Sequence, residues 1–179
     1  MCEENQQKGV ALWFTGLPCS GKSAIADRLT AILKDLGYRA ERLDGDIVRQ
    51  DLTRDLGFSK ADRDENIRRV TFVTKLLARN GVFVLTSFIS PYREMRDHAR
   101  QQVENFMEIY IKTSLETCIK RDVKGMYKKA MAGEIKEFTG VSDPYEEPLK
   151  PELIVETDNE SLEDSTQKVL RRMKDLGYL

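Results

Sequence analysis

The sequence predicts an α/β fold, with a five-stranded parallel sheet covered by helices on both faces. Three observations carry that expectation. Short apolar runs alternate with amphipathic stretches of helical period along the 179 residues. The apolar runs are nearly continuous, as in strands buried on both sides. A glycine-containing stretch, Gly16-Leu17-Pro18-Cys19-Ser20-Gly21-Lys22-Ser23, separates the first apolar run from the first helical pattern, where such folds cradle a phosphate group.

The elements follow in order. Val10-Ala11-Leu12-Trp13-Phe14 is a buried strand, with Trp13 packing in it rather than stacking on a base. The next eight residues match G-x-x-x-x-G-K-[ST] at every fixed position. A chance match in a chain of this length is on the order of 0.2%, so the match is read as a phosphate-binding loop and not a plain glycine turn. In such a loop Lys22 reaches the terminal phosphates and the Ser23 hydroxyl ligates magnesium. A helix is predicted over 23–36 and a second strand over 39–43. A long helix over 62–79 puts Ile67, Val70, Val73, Thr74 and Leu77 on one face and closes at Asn80-Gly81. A third strand covers 82–89, a helix 91–103, a fourth strand 107–111 and a short helix 114–121. A fifth strand at 153–155 and a last helix over 161–176 complete the pattern. The segment 122–151 is rich in Lys, Glu, Gly and Pro and has few core positions. It reads as a mobile flap, an active-site lid on one domain spanning 1–179, rather than a second domain.

Composition narrows the function. Basic and acidic residues number 29 and 30, giving a net charge of −1, so there is no general nucleic-acid footprint. No apolar run is long enough to cross a bilayer, and the stretch 1–8 is polar, without a signal-peptide core. Cys2, Cys19 and Cys118 show neither metal spacing nor a paired framework, which fits a reduced, cytoplasmic setting. Cys19 reads as a small residue tolerated in a tight loop rather than a reactive thiol. His98, the one histidine, reads as a surface residue.

A phosphate loop alone does not say whether a chain hydrolyses, switches or transfers phosphate. Motors and switches place an acid at the end of an apolar strand to help hold magnesium. The third strand here ends Leu85-Thr86-Ser87-Phe88-Ile89-Ser90, with no acid. The carboxylates instead follow the second strand, as Asp44-Gly45-Asp46. One can bind metal through water while the other orients or deprotonates an acceptor hydroxyl, the pattern of small-molecule kinases. A solvated Asp-Gly turn is an equal alternative on these residues alone.

Longer motifs add a resemblance. Leu43-Asp44-Gly45-Asp46-Ile47-Val48-Arg49, Asp55-Leu56-Gly57-Phe58-Ser59 and Asp62-Arg63-Asp64-Glu65-Asn66-Ile67-Arg68-Arg69 resemble the adenylylsulfate kinases. So do Phe88-Ile89-Ser90-Pro91-Tyr92-Arg93, the run 122–130, and Phe138-Thr139-Gly140 followed by Asp143-Pro144-Tyr145. The resemblance runs from about Lys8 to the C-terminus. It implies a P-loop NTPase fold and transfer of the terminal phosphate of ATP, with Mg2+, to the ribose 3′-hydroxyl of adenylylsulfate. It further implies a cytoplasmic homodimer, with a sulfurylase as a possible partner.

By that resemblance Asp46 partners the acceptor hydroxyl and magnesium, with Asp44 in support. Arg49, Arg63 and Asn66 clamp the phosphosulfate and ribose, while Phe58 and Phe138 enclose the acceptor adenine and Thr139 adjoins it. Ile89 and Ser90 form the acceptor-side loop. Ser90 also matches a serine described in the family as a phosphoserine intermediate, although direct transfer needs no such step. Lys124 is a lid lysine near substrate and Arg121 lies against the ATP base or phosphates. On charge alone, Lys124, Lys128 and Lys129 read as a charged lid rather than a solvated helix face, since both substrates are anions. Of Arg68 and Arg69, one or both pair only with acids. The chain departs from the family at Pro18-Cys19-Ser20, at Ile47 where Asn is common, and in having no long leader. Two other readings compete: a different P-loop small-molecule kinase, and a non-catalytic nucleotide-binding subunit.

Overall fold

The structure is a computed structural model that describes residues 7–179. Cys2 and nearly all of the polar stretch 1–8 lie outside the described residues. In chain order the elements are β1 (Val10–Thr15), α1 (Lys22–Asp35), β2 (Ala40–Asp44), α2 (Gly45–Gln50), α3 (Lys60–Arg79) and β3 (Phe83–Ser87). Then come α4 (Arg93–Gln102), β4 (Phe106–Lys112), α5 (Leu115–Arg121), α6 (Met126–Met131), β5 (Leu153–Glu156) and α7 (Leu162–Asp175).

β1 is buried along its whole length because both its edges and both its faces are covered. It pairs in parallel with β3, Val10 opposite Phe83, and with β4, Ala11 opposite Phe106. The five strands run β2-β3-β1-β4-β5, all parallel. Alternate residues of β1 feed two cores. Val10, Leu12 and Phe14 pack with Ile25, Leu29 and Leu33 of α1 and with Val169 and Met173 of α7. Ala11 and Trp13 pack with Ile67 and Val70 of α3 and with Met95 and Ala99 of α4. The predicted sheet, covered on both faces, is therefore present.

Three expectations need correction. The third strand stops at Ser87, not at residue 89. Ser87 is the last residue of β3 in register, opposite Phe14 and Asp44, and beyond it the Phe88 N–H makes one more bond to the Phe14 carbonyl at 3.4 Å before the chain turns away. Phe88, Ile89 and Ser90 leave the sheet, Ser90 with φ 40°. Second, no element was expected at 45–50, and Asp44-Gly45-Asp46 opens the helix α2 there. The Asp44 carboxylate accepts a hydrogen bond from the Asp46 N–H at 2.9 Å and caps α2. Third, the segment 122–151 has few core positions, as expected, but they are organised. It contains α6, and Tyr127, Ala130 and Phe138 form a third apolar cluster with Cys118 of α5, against Leu17 and Cys19 of the phosphate loop. No helix among the described residues is long and apolar enough to cross a membrane.

Candidate active site

The phosphate loop turns between the C-terminal end of β1 and the first turn of α1. Gly16 has φ 152°, and a Cβ there would lie 2.5 Å from the Ile111 carbonyl oxygen of β4. Gly21, with φ 104°, is the N-cap of α1 and lets the chain enter the helix without a side chain in the loop. Cys19 also has a positive φ of 60°. The Ser20 carbonyl is an anchoring point, accepting from Thr157 Oγ1 at 2.9 Å, Thr113 Oγ1 at 3.2 Å and Arg121 Nη1 at 3.3 Å. Tyr127 of α6 donates its hydroxyl to the Pro18 carbonyl at 3.1 Å, so the lid segment is tied to the loop directly.

Lys22 is buried and curls back over this loop. Its ammonium donates to the carbonyls of Leu17 at 2.7 Å and Gly16 at 2.9 Å, and to Ser20 Oγ at 3.3 Å. Burial lowers its pKa to about 8. Ser23 donates its hydroxyl to Asp44 Oδ2 at 3.0 Å. The same oxygen accepts from Arg42 Nη2 at 2.8 Å. The acid in contact with Ser23 is thus Asp44, which the sequence reading had in support of Asp46. Asp46 lies farther out, its carboxylate paired with the Lys124 ammonium of the lid. That pairing holds the Lys124 pKa above its ordinary value.

The opposite wall comes from α2, α3 and the lid. Arg49 Nη1 donates to the Gly57 carbonyl at 2.9 Å, and its guanidinium lies 4.4 Å from the centre of the Phe58 ring. Burial, then the neighbouring Arg63, pushes the Arg49 pKa down. Phe58 is 60% exposed, an apolar ring left open to the cleft mouth. Arg63 joins helix to lid. It donates Nε to the Phe58 carbonyl at 2.7 Å, Nη1 to Thr139 Oγ1 at 2.6 Å and Nη2 to the Glu137 carbonyl, with Asp143 Oδ2 3.5 Å from Nη2. Asn66 is buried, and its Oδ1 has no protein partner. Phe138 meets Tyr127 edge-on, ring centres 4.9 Å apart.

One cleft of about 900 Å³ brings these groups together. Its lining includes Pro18, Cys19, Gly21, Lys22, Ser23, Asp44, Asp46, Arg49, Phe58, Arg63 and Asn66. Ile89, Ser90, Arg121, Lys124, Phe138 and Thr139 complete the sequence-derived set. Gly16, Leu17 and Ser20 do not line it and act through the loop backbone. Lys128 and Lys129 are exposed and outside the lining, so of that basic run only Lys124 faces the site. Arg68 and Arg69 both pair with Glu65, and Arg69 also with Asp55. His98 is exposed. Sequence reasoning missed Arg42, whose position two residues before Asp44 on β2 was the available signal, since such residues share a strand face. It also missed the roles of Thr157 and of Tyr127, which lies within the motif run 122–130 but holds the loop from a distant segment.

A model of the adenylylsulphate kinase family matches residues 8–156. The chain belongs to the adenylylsulfate kinase family. It is 60% identical over 167 residues to a probable adenylyl-sulfate kinase of Pseudomonas aeruginosa, covering 93% of this chain and 78% of that one. It is 56% identical over 173 residues to the adenylyl-sulfate kinase of Halothermothrix orenii, covering 97% and 94%. The APS kinase of Mycobacterium tuberculosis in complex with AMPPNP and APS superimposes with a TM-score of 0.90 at 42% identity, covering 93% of this chain and 98% of that one. A gluconokinase from Sinorhizobium meliloti, at 15% identity and a TM-score of 0.58, shares the fold alone. As a member of the adenylylsulfate kinase family, the chain is an ATP-dependent phosphotransferase on a P-loop NTPase fold.

Proposed function

We propose that this chain transfers the γ-phosphate of ATP to the 3′-hydroxyl of adenylylsulfate, giving 3′-phosphoadenylylsulfate and ADP. The observation that carries the reading is one cleft with two unlike halves. One half holds the phosphate loop with Lys22, Ser23 and Arg121. The other holds Arg49, Phe58, Arg63, Asn66 and Phe138. The first suits a nucleoside triphosphate, the second an anionic adenosine derivative whose base needs aromatic faces. The ligands named for the Mycobacterium tuberculosis structure, AMPPNP and APS, support the same division.

The residues then take roles. Lys22 leaves the loop carbonyls and follows the charge of the transferring phosphoryl group. Ser23 and Asp44 offer hard oxygens 3.0 Å apart, a donor set that fits Mg2+, with Asp46 available farther out. Bound there, Mg2+ would neutralise charge on the β- and γ-phosphate oxygens. Asp46, released by Lys124, accepts the proton of the acceptor hydroxyl. Ser90 favours direct transfer: its hydroxyl accepts from Trp13 Nε1 at 3.1 Å and donates to Thr15 Oγ1 at 3.2 Å, so it is already committed. The segment 122–151 serves as a lid whose closure brings Phe138 and Lys124 to the acceptor and excludes water.

A coupled ADP-release assay across a panel of acceptors tests the reading. Adenylylsulfate is expected to be turned over well ahead of sugars, sugar acids and other nucleotides. Preference for any of those would replace it with the other-kinase reading, and no turnover at all would favour a binding subunit. We further propose a cytoplasmic homodimer of the 20.6 kDa chain, checked by sedimentation. A sulfurylase, which makes adenylylsulfate, is the proposed functional partner.

A further inference from the structure

Behind the cleft, two stretches far apart in sequence are sewn together. They are the loop 88–93, which leaves β3, and the segment 143–147, which follows the lid. The Glu146 N–H donates to the Pro91 carbonyl at 2.8 Å, and the Arg93 N–H donates to Glu146 Oε2 at 2.8 Å. Tyr92 donates its hydroxyl to Asp143 Oδ2 at 3.2 Å. Thr15 Oγ1 lies 2.9 Å from the Tyr145 hydroxyl and donates to the Ile89 carbonyl at 2.8 Å.

One side chain grips both stretches. Arg96 of α4 is 2% exposed. Its Nη1 donates to the Ser90 carbonyl at 2.5 Å and its Nη2 to the Glu146 carbonyl at 2.6 Å. Its Nε donates to Glu108 Oε1 at 2.8 Å, and its guanidinium lies 5.6 Å from the Tyr145 ring centre. A buried guanidinium is costly unless its donors are paired. Here a carboxylate balances the charge, and with the two carbonyls it gives every nitrogen of the guanidinium a partner. A lysine could supply the charge but not that geometry.

The carbonyl it holds belongs to an unusual residue. Ser90 has φ 40°, a left-handed backbone that a serine keeps only where its surroundings over-determine it. Trp13 fixes the Ser90 hydroxyl from the sheet, and Arg96 fixes the Ser90 carbonyl from α4. Arg96 does not line the cleft, whereas Ile89 and Ser90 do.

We propose that Arg96 is a positioning residue for the acceptor. By locking the Ser90 carbonyl and the root of the lid to one guanidinium, it holds the loop 89–90 in the shape that adenylylsulfate meets. The proposal rests on the reading in which that loop faces the acceptor. Its direct contacts are with Ser90, Glu146, Glu108 and Tyr145 and not with the phosphate loop, Lys22 or Ser23, so the acceptor is the substrate it affects most.

The test compares three variants in the full-length enzyme, by steady-state kinetics with each substrate varied and by thermal melting. Arg96→Met is expected to raise the KM for adenylylsulfate about tenfold, the scale of one lost charged hydrogen bond, with the KM for ATP within about twofold. Arg96→Lys keeps the charge and can reach one carbonyl, so it should recover part of that loss, and it carries the test alone if Arg96→Met does not fold. Glu108→Gln removes the charge partner but leaves both carbonyl bonds. It should lower the melting temperature while keeping the adenylylsulfate KM within about twofold of wild type. Equal shifts in both KM values, no shift in either, or Glu108→Gln matching the arginine variants would overturn the proposal. A wild-type enzyme that does not turn over adenylylsulfate would instead overturn the reading of the site, and this inference with it.

Discussion

Lys22 illustrates how a single residue can prepare a site. Its ammonium rests on the carbonyls of Gly16 and Leu17, so the loop is internally neutralised before nucleotide arrives. Burial holds its pKa at about 8, below the ordinary 10.5. The lowered value means that the folded state disfavours the charged form, a penalty present below pH 8 and shrinking as pH rises toward 10.5. Phosphate oxygens favour the charged form, so ATP binding should take up a proton above pH 8, and affinity should fall as pH rises through that value. Calorimetry in buffers of different ionisation enthalpy checks both. Lys22→Ala should abolish transfer while the melting temperature changes little; full turnover at saturating ATP would contradict its role. The paired acids separate by contact. Asp46→Asn should lower turnover at least about a hundredfold through loss of the proton acceptor. Asp44→Asn should chiefly raise the Mg2+ concentration needed for half-maximal rate, because Asp44 is the acid against Ser23. The reverse pattern would exchange the two assignments. Most of these residues were legible because a phosphate loop and a carboxylate pair have local spacing. Arg42 was not, because its part is to hold Asp44 rather than to form a motif.

At the scale of elements, strands and helices followed from periodicity, and the misjudged places are those where an element serves the site. The last apolar residues predicted for the third strand leave the sheet as a loop that lines the cleft. The stretch Asp44-Gly45-Asp46, for which no helix was expected, is a helix start, because one carboxylate serves as both cap and cleft wall. The lid's core escaped notice because its partners, Leu17 and Cys19, belong to a loop more than a hundred residues away. Phe138 has two duties there, one ring edge against Tyr127 and one side toward the cleft. Phe138→Ala should therefore weaken adenylylsulfate by about 1–3 kcal/mol, the worth of one aromatic stack on a base, and ATP by less. It should also raise ATP hydrolysis in the absence of acceptor, since closure would be incomplete. Calorimetric titration of both ligands decides, and equal weakening would leave Phe138 as a packing residue.

At the scale of the whole molecule, the C-terminal ends of parallel strands deliver the phosphate loop and its neighbours to one place. In the order β2-β3-β1-β4-β5 the phosphate loop leaves the central strand, with Asp44 and the Ser90 loop arriving from the two strands on one side. The core that fixes this arrangement is dense around α1, and Leu29→Ala should cost about 2–5 kcal/mol in chemical denaturation. The parallel, two-sided sheet follows from local pattern, whereas the strand order was not foreseen. The stitching of residues 143–147 to the loop 88–93 was not foreseen either, because it depends on pairings with no sequence period. A last consequence concerns light. The chain has one tryptophan, Trp13, fully buried, with its indole N–H bonded to the Ser90 hydroxyl. All indole emission from the native protein thus originates beside the acceptor loop. An ATP analogue alone should leave the spectrum nearly still, adenylylsulfate should shift it, and Ser90→Ala, which frees the indole N–H, supplies the reference. The enzyme carries its own unlabelled optical gauge of whether the acceptor half is filled.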